Sequence, residues 1–297
     1  MKNIHIPFAF LATVGASALL ASTSGLAQTA APAAEPAAAP ASPVTGNFSL
    51  VSDYRFRGLS QTGKKPAVQG GLDYAHESGF YLGTWASSIS ANQYPNATME
   101  LDLYGGYKFE PVKDVGIDLG LIHVYYPGGK STGTTTTFAS RPGTTTYPNT
   151  TELYAGVSYK WFSAKYNHTI SSSLFGLDSN TAGFACSVTN GANCYNSTAS
   201  TRGSGYLDLA GNFEIADKLT LGLHVGHQTV KNYSNFSYTD YKVGLTKEYA
   251  GFSFGAAVVS TNAKSEWWYA QTPDQVGSTS RTKIGEAGLV LSIAKTF

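Results

Sequence analysis

An alternation of apolar and polar residues with a period of two most constrains what this chain can fold into. In residues 99–109, odd-numbered positions are apolar, aromatic or glycine, and even-numbered positions include Glu100 and Asp102. Residues 151–160 repeat the pattern, with Glu152 at the place of Glu100. Neighbouring side chains of a strand point to opposite faces, so each segment has one apolar and one polar face. Because a tilted strand of about ten residues crosses a bilayer, the pattern predicts membrane-spanning strands.

Twelve segments of this kind follow one another along the chain. They are predicted at 47–57, 66–76, 80–90, 99–109, 116–126, 150–160, 162–171, 205–213, 219–228, 237–247, 252–261 and 283–297. Short connections alternate with long polar ones, and the number is even, as bacterial single-chain barrels require. Spanning strands must close on themselves because lipid offers an open edge no hydrogen-bond partner. The predicted fold is all-β: a closed antiparallel transmembrane β-barrel of twelve strands, with short periplasmic turns and long external loops.

Three parts of the chain differ in composition. Residues 1–27 combine Lys2, an apolar run and small residues before Ala27, which predicts a secretory signal peptide. The run is shorter than the roughly 20 apolar residues of a membrane anchor, which is the alternative. Residues 28–45 are rich in alanine and proline, which predicts a disordered periplasmic tether rather than an attachment element. Residues 46–297 are assigned to the outer-membrane barrel.

The charge of the chain excludes one class of partner. The formal net charge is +1, and removal of the signal peptide takes away Lys2, which leaves a neutral chain. Nucleic-acid binding calls for a basic face, so no nucleic-acid partner is predicted. Charged residues make up only 13% of the chain and aromatic residues another 13%, unlike an ordinary soluble domain. A soluble all-β sandwich is the alternative, and the uniformly apolar faces argue against it.

The last segment ends in an aromatic residue, as the final strands of bacterial outer-membrane barrels characteristically do. Its apolar face is formed by Leu289, Leu291, Ile293 and Phe297, which we interpret as the signal for the barrel-assembly machinery. Aromatic residues beside the short turns predict a periplasmic girdle. They are Phe80, Tyr107, Phe109, Tyr159, Phe213 and Phe252. The predicted location is the bacterial outer membrane, in contact with its lipid and lipopolysaccharide.

The polar face of the strands carries charges of both signs. Charges are costly against lipid and are tolerated in a watery lumen, so these residues are predicted to line a pore. They are Asp53, Arg55, Arg57, Asp73, Glu100, Asp102, Glu152, Lys165, Asp208, Asp240, Lys242 and Glu286. A mixed-charge lumen would pass small polar solutes, whereas pairing of the same groups would stabilise a plugged barrel. Arg55 and Arg57 would either attract anions or pair with the acidic residues at a similar height.

The cysteines and histidines are candidate sites with weaker support in the sequence. Cys186 and Cys194 lie in one predicted external loop, where an oxidising environment favours a disulfide. His224 and His227 are three residues apart and therefore face opposite sides of a strand, so they cannot chelate one metal ion. His224 faces Asp208 across a hairpin as a base faces its orienting acid, but no serine motif supports a hydrolase. No enzyme, metal or cofactor is predicted.

The chain resembles a known family in several blocks. The most specific is residues 51–62, VSDYRFRGLSQT, followed by PAVQGGLDY at 66–74 and GFYLGTW at 79–85. Together with KWFSAKY at 160–166 and GYLDL at 205–209, these blocks resemble the TorF-type porin family of proteobacteria. The resemblance covers nearly the whole predicted barrel and implies an outer-membrane barrel with pore function. The Thr-rich loop at 131–149 and the Cys-bearing loop at 178–203 are longer than the family pattern.

The sequence thus predicts a porin-like channel for passive diffusion of small hydrophilic solutes. The alternative is a non-conducting barrel that acts as a binding or structural protein through its loops. The aromatic run at 265–269 lies in such a loop, where it would stack on sugars or form the outer interface belt. An outer-membrane hydrolase is a more distant alternative. Solute identity and oligomeric state are not predicted.

Overall fold

The computed structural model describes residues 42–297, apart from 92, 133–142, 183–198, 266–267 and 272–280. The predicted signal peptide and most of the predicted tether lie outside the described residues. Among the described residues, no helix combines the length and the apolar character needed to cross a bilayer.

Strands make up nearly all of the regular structure. Their bounds are β1 Val44–Val51, β2 Arg55–Phe56, β3 Leu59–Ser60, β4 Ala67–Ala75, β5 Phe80–Ser88, β6 Met99–Val112, β7 Val115–Tyr125, β8 Thr150–Tyr159, β9 Phe162–Thr169, β10 Gly205–Ala216, β11 Leu219–Thr229, β12 Tyr238–Tyr249, β13 Phe252–Thr261, β14 Tyr269–Gln271, β15 Arg281–Lys283 and β16 Gly288–Thr296. A short 3₁₀-helix spans Ser234–Phe236.

Twelve of these strands form one closed antiparallel barrel. The order around the wall is β1, β4 through β13 in sequence, and β16, which pairs again with β1. At the closing seam, Asn47 lies opposite Thr296 and Val51 opposite Ser292. The backbone N–H groups of Gly46 and Phe297 each donate to the carbonyl of the other, at 2.8 and 2.9 Å. The predicted twelve-strand closed barrel is therefore confirmed.

The two faces of the wall divide as the alternation predicts. Leu82, Leu103 and Val243 are exposed on the outer face, whereas Glu100 and Glu152 are buried on the inner face. Short connections lie at one end of the barrel, hereafter the turn end, and long connections at the other, the loop end. The predicted girdle residues lie beside the short turns, with Phe80 packed on Tyr107 at 4.8 Å between ring centroids.

Two predicted strands differ from the observed ones. These two show the largest differences, and the other bounds agree to within about three residues: the sequence predicts the first strand at 47–57, but β1 ends at Val51, and it predicts the last at 283–297, but β16 begins at Gly288. Both differences lie at the loop end, where the chain leaves the wall and folds over the lumen. A buried core fills this end, and it includes Tyr126, Leu174, Leu177 and Phe236 from the loops.

Candidate functional site

The segment after β1 folds into the lumen instead of extending the wall. Residues 53–62 form a hairpin, hereafter the lumen hairpin, whose strands β2 and β3 pair only with each other. Its two-residue turn is Arg57-Gly58, with φ values of 47° and 79°. Two successive positive φ values are the mark of a type I′ turn, whose twist suits a tight hairpin. Arg55 and Arg57 therefore lie inside the barrel, but not on a wall strand.

Asp53 holds the base of the lumen hairpin together. Its Oδ2 accepts a hydrogen bond from Arg55 Nε at 2.5 Å. Its Oδ1 accepts from Ser60 Oγ at 2.5 Å and from Thr62 Oγ1 at 3.2 Å. Thr62 Oγ1 in turn accepts from the backbone N–H of Tyr54 at 3.2 Å. Asp53 was predicted to line the pore, and the structure places it among partners in its own segment.

Arg57 joins the tip of the hairpin to the far side of the barrel. Its Nη1 and Nη2 donate to the two carboxylate oxygens of Glu152 at 3.2 and 2.5 Å, and Nη1 also donates to Gln228 Oε1 at 2.7 Å. Glu152 lies on β8, the fifth strand from β1 around the wall. It also accepts hydrogen bonds from Asn167 and Thr169. The pair is bidentate, the geometry that best matches guanidinium to carboxylate.

The environment of Arg57 is aromatic and dry. Its guanidinium carbon lies 4.4 Å from the ring centroid of Tyr206, 4.9 Å from that of Phe56 and 5.5 Å from that of Phe175. Its side chain is 5% exposed and that of Glu152 is 1% exposed. Burial alone would lower the pKa of Arg57, but the Glu152 carboxylate outweighs burial and raises it. Arg57 is therefore held as a cation in the middle of the barrel.

Gly58 brings the hairpin tip against the wall. A Cβ atom at this position would lie 2.5 Å from Asp240 Cβ and 2.5 Å from Thr261 Cγ2. Only glycine fits both this approach and the positive φ. The lumen hairpin thus contacts the inner faces of β6, β8, β11 and β12, and it occupies the loop-end half of the lumen.

Arg55 ties the hairpin to the chain before β16. Its Nη1 donates to the carbonyls of Gly58, Ile284 and Glu286 at 3.0–3.1 Å. The side chain of Glu286 itself is exposed and pairs with Lys64 at 2.8 Å. The hydrogen bond from Lys64 lowers the pKa of Glu286 below its usual range. Glu286, predicted to line the pore, lies at the rim of the loop end.

Two acidic residues of β6 face the hairpin. Glu100 Oε1 accepts a hydrogen bond of 2.5 Å from the hydroxyl of Tyr54. Asp102 is completely buried, and neither of its carboxylate oxygens has a hydrogen-bond partner. Both residues lie on the inner face, as the sequence predicts for pore-lining residues, in the half that the hairpin occupies.

The turn-end half of the lumen is lined by acidic groups that tyrosine hydroxyls cover. Tyr104 donates to Asp73 Oδ1 at 2.5 Å, and Tyr81 donates to Asp118 Oδ1 at 2.6 Å. Asp73 is one of the predicted lining residues, and it is only partly buried. The lining of this half of the lumen is thus polar.

Lysine side chains in the same half lie over tyrosine rings. The Nζ of Lys165 is 3.8 Å from the ring centroid of Tyr154, and that of Lys108 is 4.5 Å from the centroid of Tyr81. Such cation–π contacts orient the ammonium groups along the wall. Tyr154 shares the even-numbered inner face with Glu152, and Tyr81 lies on the odd-numbered inner face of β5, so the alternation of each strand was enough to place both tyrosines inside the barrel, although neither was predicted as a lining residue.

His224 bridges two acidic residues of the wall. Its Nδ1 lies 3.3 Å from Asp208 Oδ1 and its Nε2 lies 2.8 Å from Asp240 Oδ1. The predicted pairing with Asp208 is therefore present, with Asp240 as a second partner. His227 lies on the opposite face, where it contacts Thr239 at 2.9 Å. Within the part of the chain that the structure describes, no group of three His, Cys, Asp or Glu side chains is placed to hold a metal ion.

A cavity lies between the lumen hairpin and the wall. Its polar lining comes from Asp53, Tyr54, Arg55, Gln69, His224, Asp240, Lys242 and Ser292. Four of the twelve predicted lining residues contribute to it: Asp53 and Arg55 from the hairpin, and Asp240 and Lys242 from β12.

The predicted assembly signal lies on the outer face of the wall, and the described part of the aromatic loop lies inside the loop end. Leu289, Leu291 and Phe297 are exposed on the outer face of β16, and Ile293 is partly exposed beside them. Trp268, from the aromatic run at 265–269, is buried, and its Nε1 donates to the carbonyl of Phe236 at 3.2 Å. It packs in the loop-end core and not in an interface belt. Cys186 and Cys194 lie outside the described residues.

Comparison with protein families gives one match. The model of the family Gcw_chp, described as a bacterial protein of unknown function, matches residues 34–297. The match covers every barrel strand and the lumen hairpin. No curated protein is similar to the chain in sequence.

Several solved structures are similar in shape. The KdgM porin is 7% identical, with 85% of this chain and 99% of that chain covered and a TM-score of 0.46. The NanC porin is also 7% identical, with 85% and 98% covered and a TM-score of 0.44. OprD of Pseudomonas aeruginosa is 10% identical, with 84% and 66% covered and a TM-score of 0.36. At these identities and TM-scores, the similarity concerns the fold alone.

Proposed function

The chain belongs to the bacterial family Gcw_chp, whose function is unknown, and for it we propose a porin-like channel of the outer membrane, closed by the lumen hairpin in the conformation described. The observation that carries this proposal is the amphipathic wall, apolar outside and charged inside. An apolar exterior suits lipid, and only a closed barrel satisfies its backbone there. The proposed solutes are small and hydrophilic, and they diffuse passively. The resemblance to the TorF-type porin family supports the same class.

The turn-end half of the lumen supports a path for polar solutes. Carboxylates and ammonium groups of both signs line it, including Asp73, Lys165 and Asp208, and each is only partly buried. Mixed charges around a watery passage favour polar solutes without a strong preference for one sign. The contacts of the wall would be outer-membrane lipid and lipopolysaccharide, and the outer face of β16 together with Phe297 would present the assembly signal.

The loop-end half requires a movement before solutes pass. The lumen hairpin forms a sheet of its own and does not pair with wall strands, so it is able to move without opening the barrel. Its main tie across the lumen is the pair of Arg57 with Glu152. We therefore describe the channel as gated, with the hairpin as the gate.

A non-conducting barrel is the second candidate. The same contacts favour it, because the buried Arg57–Glu152 pair and the loop-end core that includes Phe175 and Tyr126 would hold the lumen shut permanently. In that case the loops, and not the lumen, would carry the function. The two candidates differ in what happens when the hairpin is removed.

Planar-bilayer recording of the refolded protein separates the two candidates. We would compare the wild type with a variant in which residues 55–60 are replaced by Gly-Gly. Lys64→Ala is the control, because it breaks only the exposed pair with Glu286. We expect rare, small conductance steps for the wild type and the control, and frequent, larger steps for the hairpin variant. A hairpin variant that is folded, as judged by heat-modifiable migration, yet silent would overturn the channel proposal.

A further inference from the structure

The cavity between the lumen hairpin and the wall combines apolar and polar lining. Val51, Val259 and Val290 line it, and each is buried. The volume of the cavity is about 20 Å³, more than the roughly 10–15 Å³ that one water molecule needs. Sites for small molecules typically combine an apolar lining with a few placed polar groups. A ligand of only a few non-hydrogen atoms therefore suits this cavity.

The strand register brings two cationic side chains of the lining towards each other. Lys242 on β12 lies opposite Val259 on β13, which in turn lies opposite Gly288 on β16. Arg55 of the lumen hairpin lies over Gly288, because a Cβ atom added there would be 2.8 Å from Arg55 Nη2. Neighbouring strands are about 4.8 Å apart, so the backbones of Lys242 and Gly288 are separated by about 10 Å. Lys242 and Arg55 therefore flank Val259 within reach of one small ligand.

Both cations have hydrogen-bond donors to spare. Arg55 uses Nε for Asp53 and Nη1 for three backbone carbonyls, which leaves Nη2 without a hydrogen bond among the described residues. The side chain of Arg55 is only 3% exposed, and a buried donor without a partner is costly. Lys242 Nζ lies more than 4.0 Å from every carboxylate in the part of the chain that the structure describes.

The acidic residues around the cavity already have partners. Asp53 is bonded within the lumen hairpin, and Asp240 lies 2.8 Å from His224 Nε2. His224 Nδ1 lies 3.3 Å from Asp208, so both ring nitrogens face carboxylates and both act as donors, as in the imidazolium ion. Three acidic groups thus face three cations, and the surroundings carry no net charge that would repel an anion. The cations are Arg55, His224 and Lys242.

We propose that this cavity, hereafter the carboxylate site, binds the carboxylate of a short-chain organic acid such as acetate. One carboxylate oxygen would accept from Arg55 Nη2 and the other from Lys242 Nζ, and hydrogen bonds between charged groups are the strong ones. The methyl group would lie against Val259 and Val290. A halide ion would accept from the same donors but would leave the valines without a contact. The carboxylate site is complete with the lumen hairpin in place, so binding does not depend on whether the barrel conducts.

Saturation-transfer NMR on the refolded full-length barrel in detergent tests the carboxylate site, with the methyl signal of acetate as the readout. We expect transfer to acetate from the wild type. Lys242→Gln should bind acetate at least about tenfold more weakly, because it loses a hydrogen bond between charged groups. Lys247→Gln is the matched control, because Lys247 lies on the same strand, is exposed and donates to the carbonyl of Asp217. It should bind acetate as the wild type does.

Competition with acetamide and with chloride identifies the chemistry of the ligand. Acetamide has the shape of acetate without its charge, so it should not displace acetate at equal concentration. Chloride should compete more weakly than formate, because formate keeps both carboxylate oxygens. Displacement of acetate by acetamide or chloride at equal concentration would contradict a carboxylate site.

Gly288→Ala supplies a second variant in case Lys242→Gln does not fold. The added Cβ atom would displace Arg55 Nη2 and should weaken acetate binding as well. Heat-modifiable migration verifies that each barrel is folded. A folded wild type without transfer to acetate overturns the proposal, and so do folded Lys242→Gln and Gly288→Ala variants that bind as tightly as the wild type. None of these results bears on conductance, so the channel proposal stands or falls separately.

Discussion

At the scale of single residues, Arg57 determines where the lumen hairpin ends. It adopts a positive φ of 47° in the turn and at the same time bonds both oxygens of Glu152, which is 95 residues away in sequence. The guanidinium and the carboxylate are both buried, so either one alone would be an uncompensated charge. A pair of this kind specifies one position for the hairpin more clearly than it adds stability.

A double-mutant cycle on Arg57 and Glu152 measures this coupling. Each of Arg57→Ala and Glu152→Ala should destabilise the folded barrel by about 3–5 kcal/mol, because it leaves the other charge buried and alone. The double variant should lose clearly less than the sum of the two. Urea unfolding of the protein in detergent gives the three free energies, and additive losses would contradict a direct pair.

Gly58 is the second residue with a specific prediction. Gly58→Ala would place a Cβ atom 2.5 Å from Asp240 and Thr261, so the hairpin tip has to leave the wall. We expect more frequent channel openings in planar bilayers, with the barrel still folded. Gly63→Ala is the matched control, because Gly63 also has a positive φ, 62°, but a Cβ atom there meets nothing within 4 Å. It should cost about 1–2 kcal/mol of strain and leave the openings unchanged.

At the scale of elements, the lumen hairpin shows why a strand-like sequence leaves the wall. Asp53, Arg55 and Arg57 alternate with Tyr54 and Phe56 and so satisfy the pattern of a spanning strand. In a wall strand, the aromatic side chains would face outward. In the hairpin they enter the loop-end core, with Phe56 packed edge-on against Phe175 at 5.2 Å.

Limited proteolysis tests how firmly Asp53 holds this element. Trypsin cleaves after arginine, and Arg55 and Arg57 are buried in the folded protein. The wild type should resist cleavage at both sites, whereas Asp53→Ala should be cut there at least tenfold faster, because the base of the lumen hairpin loses its three side-chain hydrogen bonds. Asp73→Asn is a control that leaves the base of the lumen hairpin intact. Equal protection of Asp53→Ala and the wild type, read by mass spectrometry, would show that Asp53 is dispensable.

At the scale of the whole molecule, the apolar outer face decides where the barrel is stable. Val243 lies in the middle of β12 and is 55% exposed on this face, and Tyr249 lies at the turn end of the same strand and is 71% exposed. If the wall crosses a bilayer, a charge at its middle is far more costly than one at its edge.

Arginine substitutions at these two positions test the membrane-spanning wall. Val243→Arg should destabilise the barrel in lipid vesicles by about 2–4 kcal/mol, and Tyr249→Arg by about 0–1 kcal/mol. Val243→Leu is the control for the change of side chain alone. The free energies come from denaturant titration in vesicles, and an equal effect of the two arginines would indicate an outer face that does not meet lipid.

Sequence and structure agree where the determining physics is local. The period of two assigns Glu100, Asp102 and Glu152 to one face and Leu103 to the other, because successive side chains of a strand point in opposite directions. The twelve strands follow, and so does the closed barrel, because an amphipathic wall of spanning strands leaves no unpaired edge in lipid. The sequence by itself therefore determined the strands, their faces and the closure of the wall.

Only the tertiary structure decided what fills the lumen. The partners that hold residues 53–62 inside it are Glu100, Glu152, Gln228 and the backbone near Ile284, which lie between 46 and 229 residues away from the groups they bind. An alternating segment reads the same whether it continues the wall or turns inward at Arg57-Gly58. The choice depends on side chains that meet only after the barrel has closed, and no local pattern contains that information.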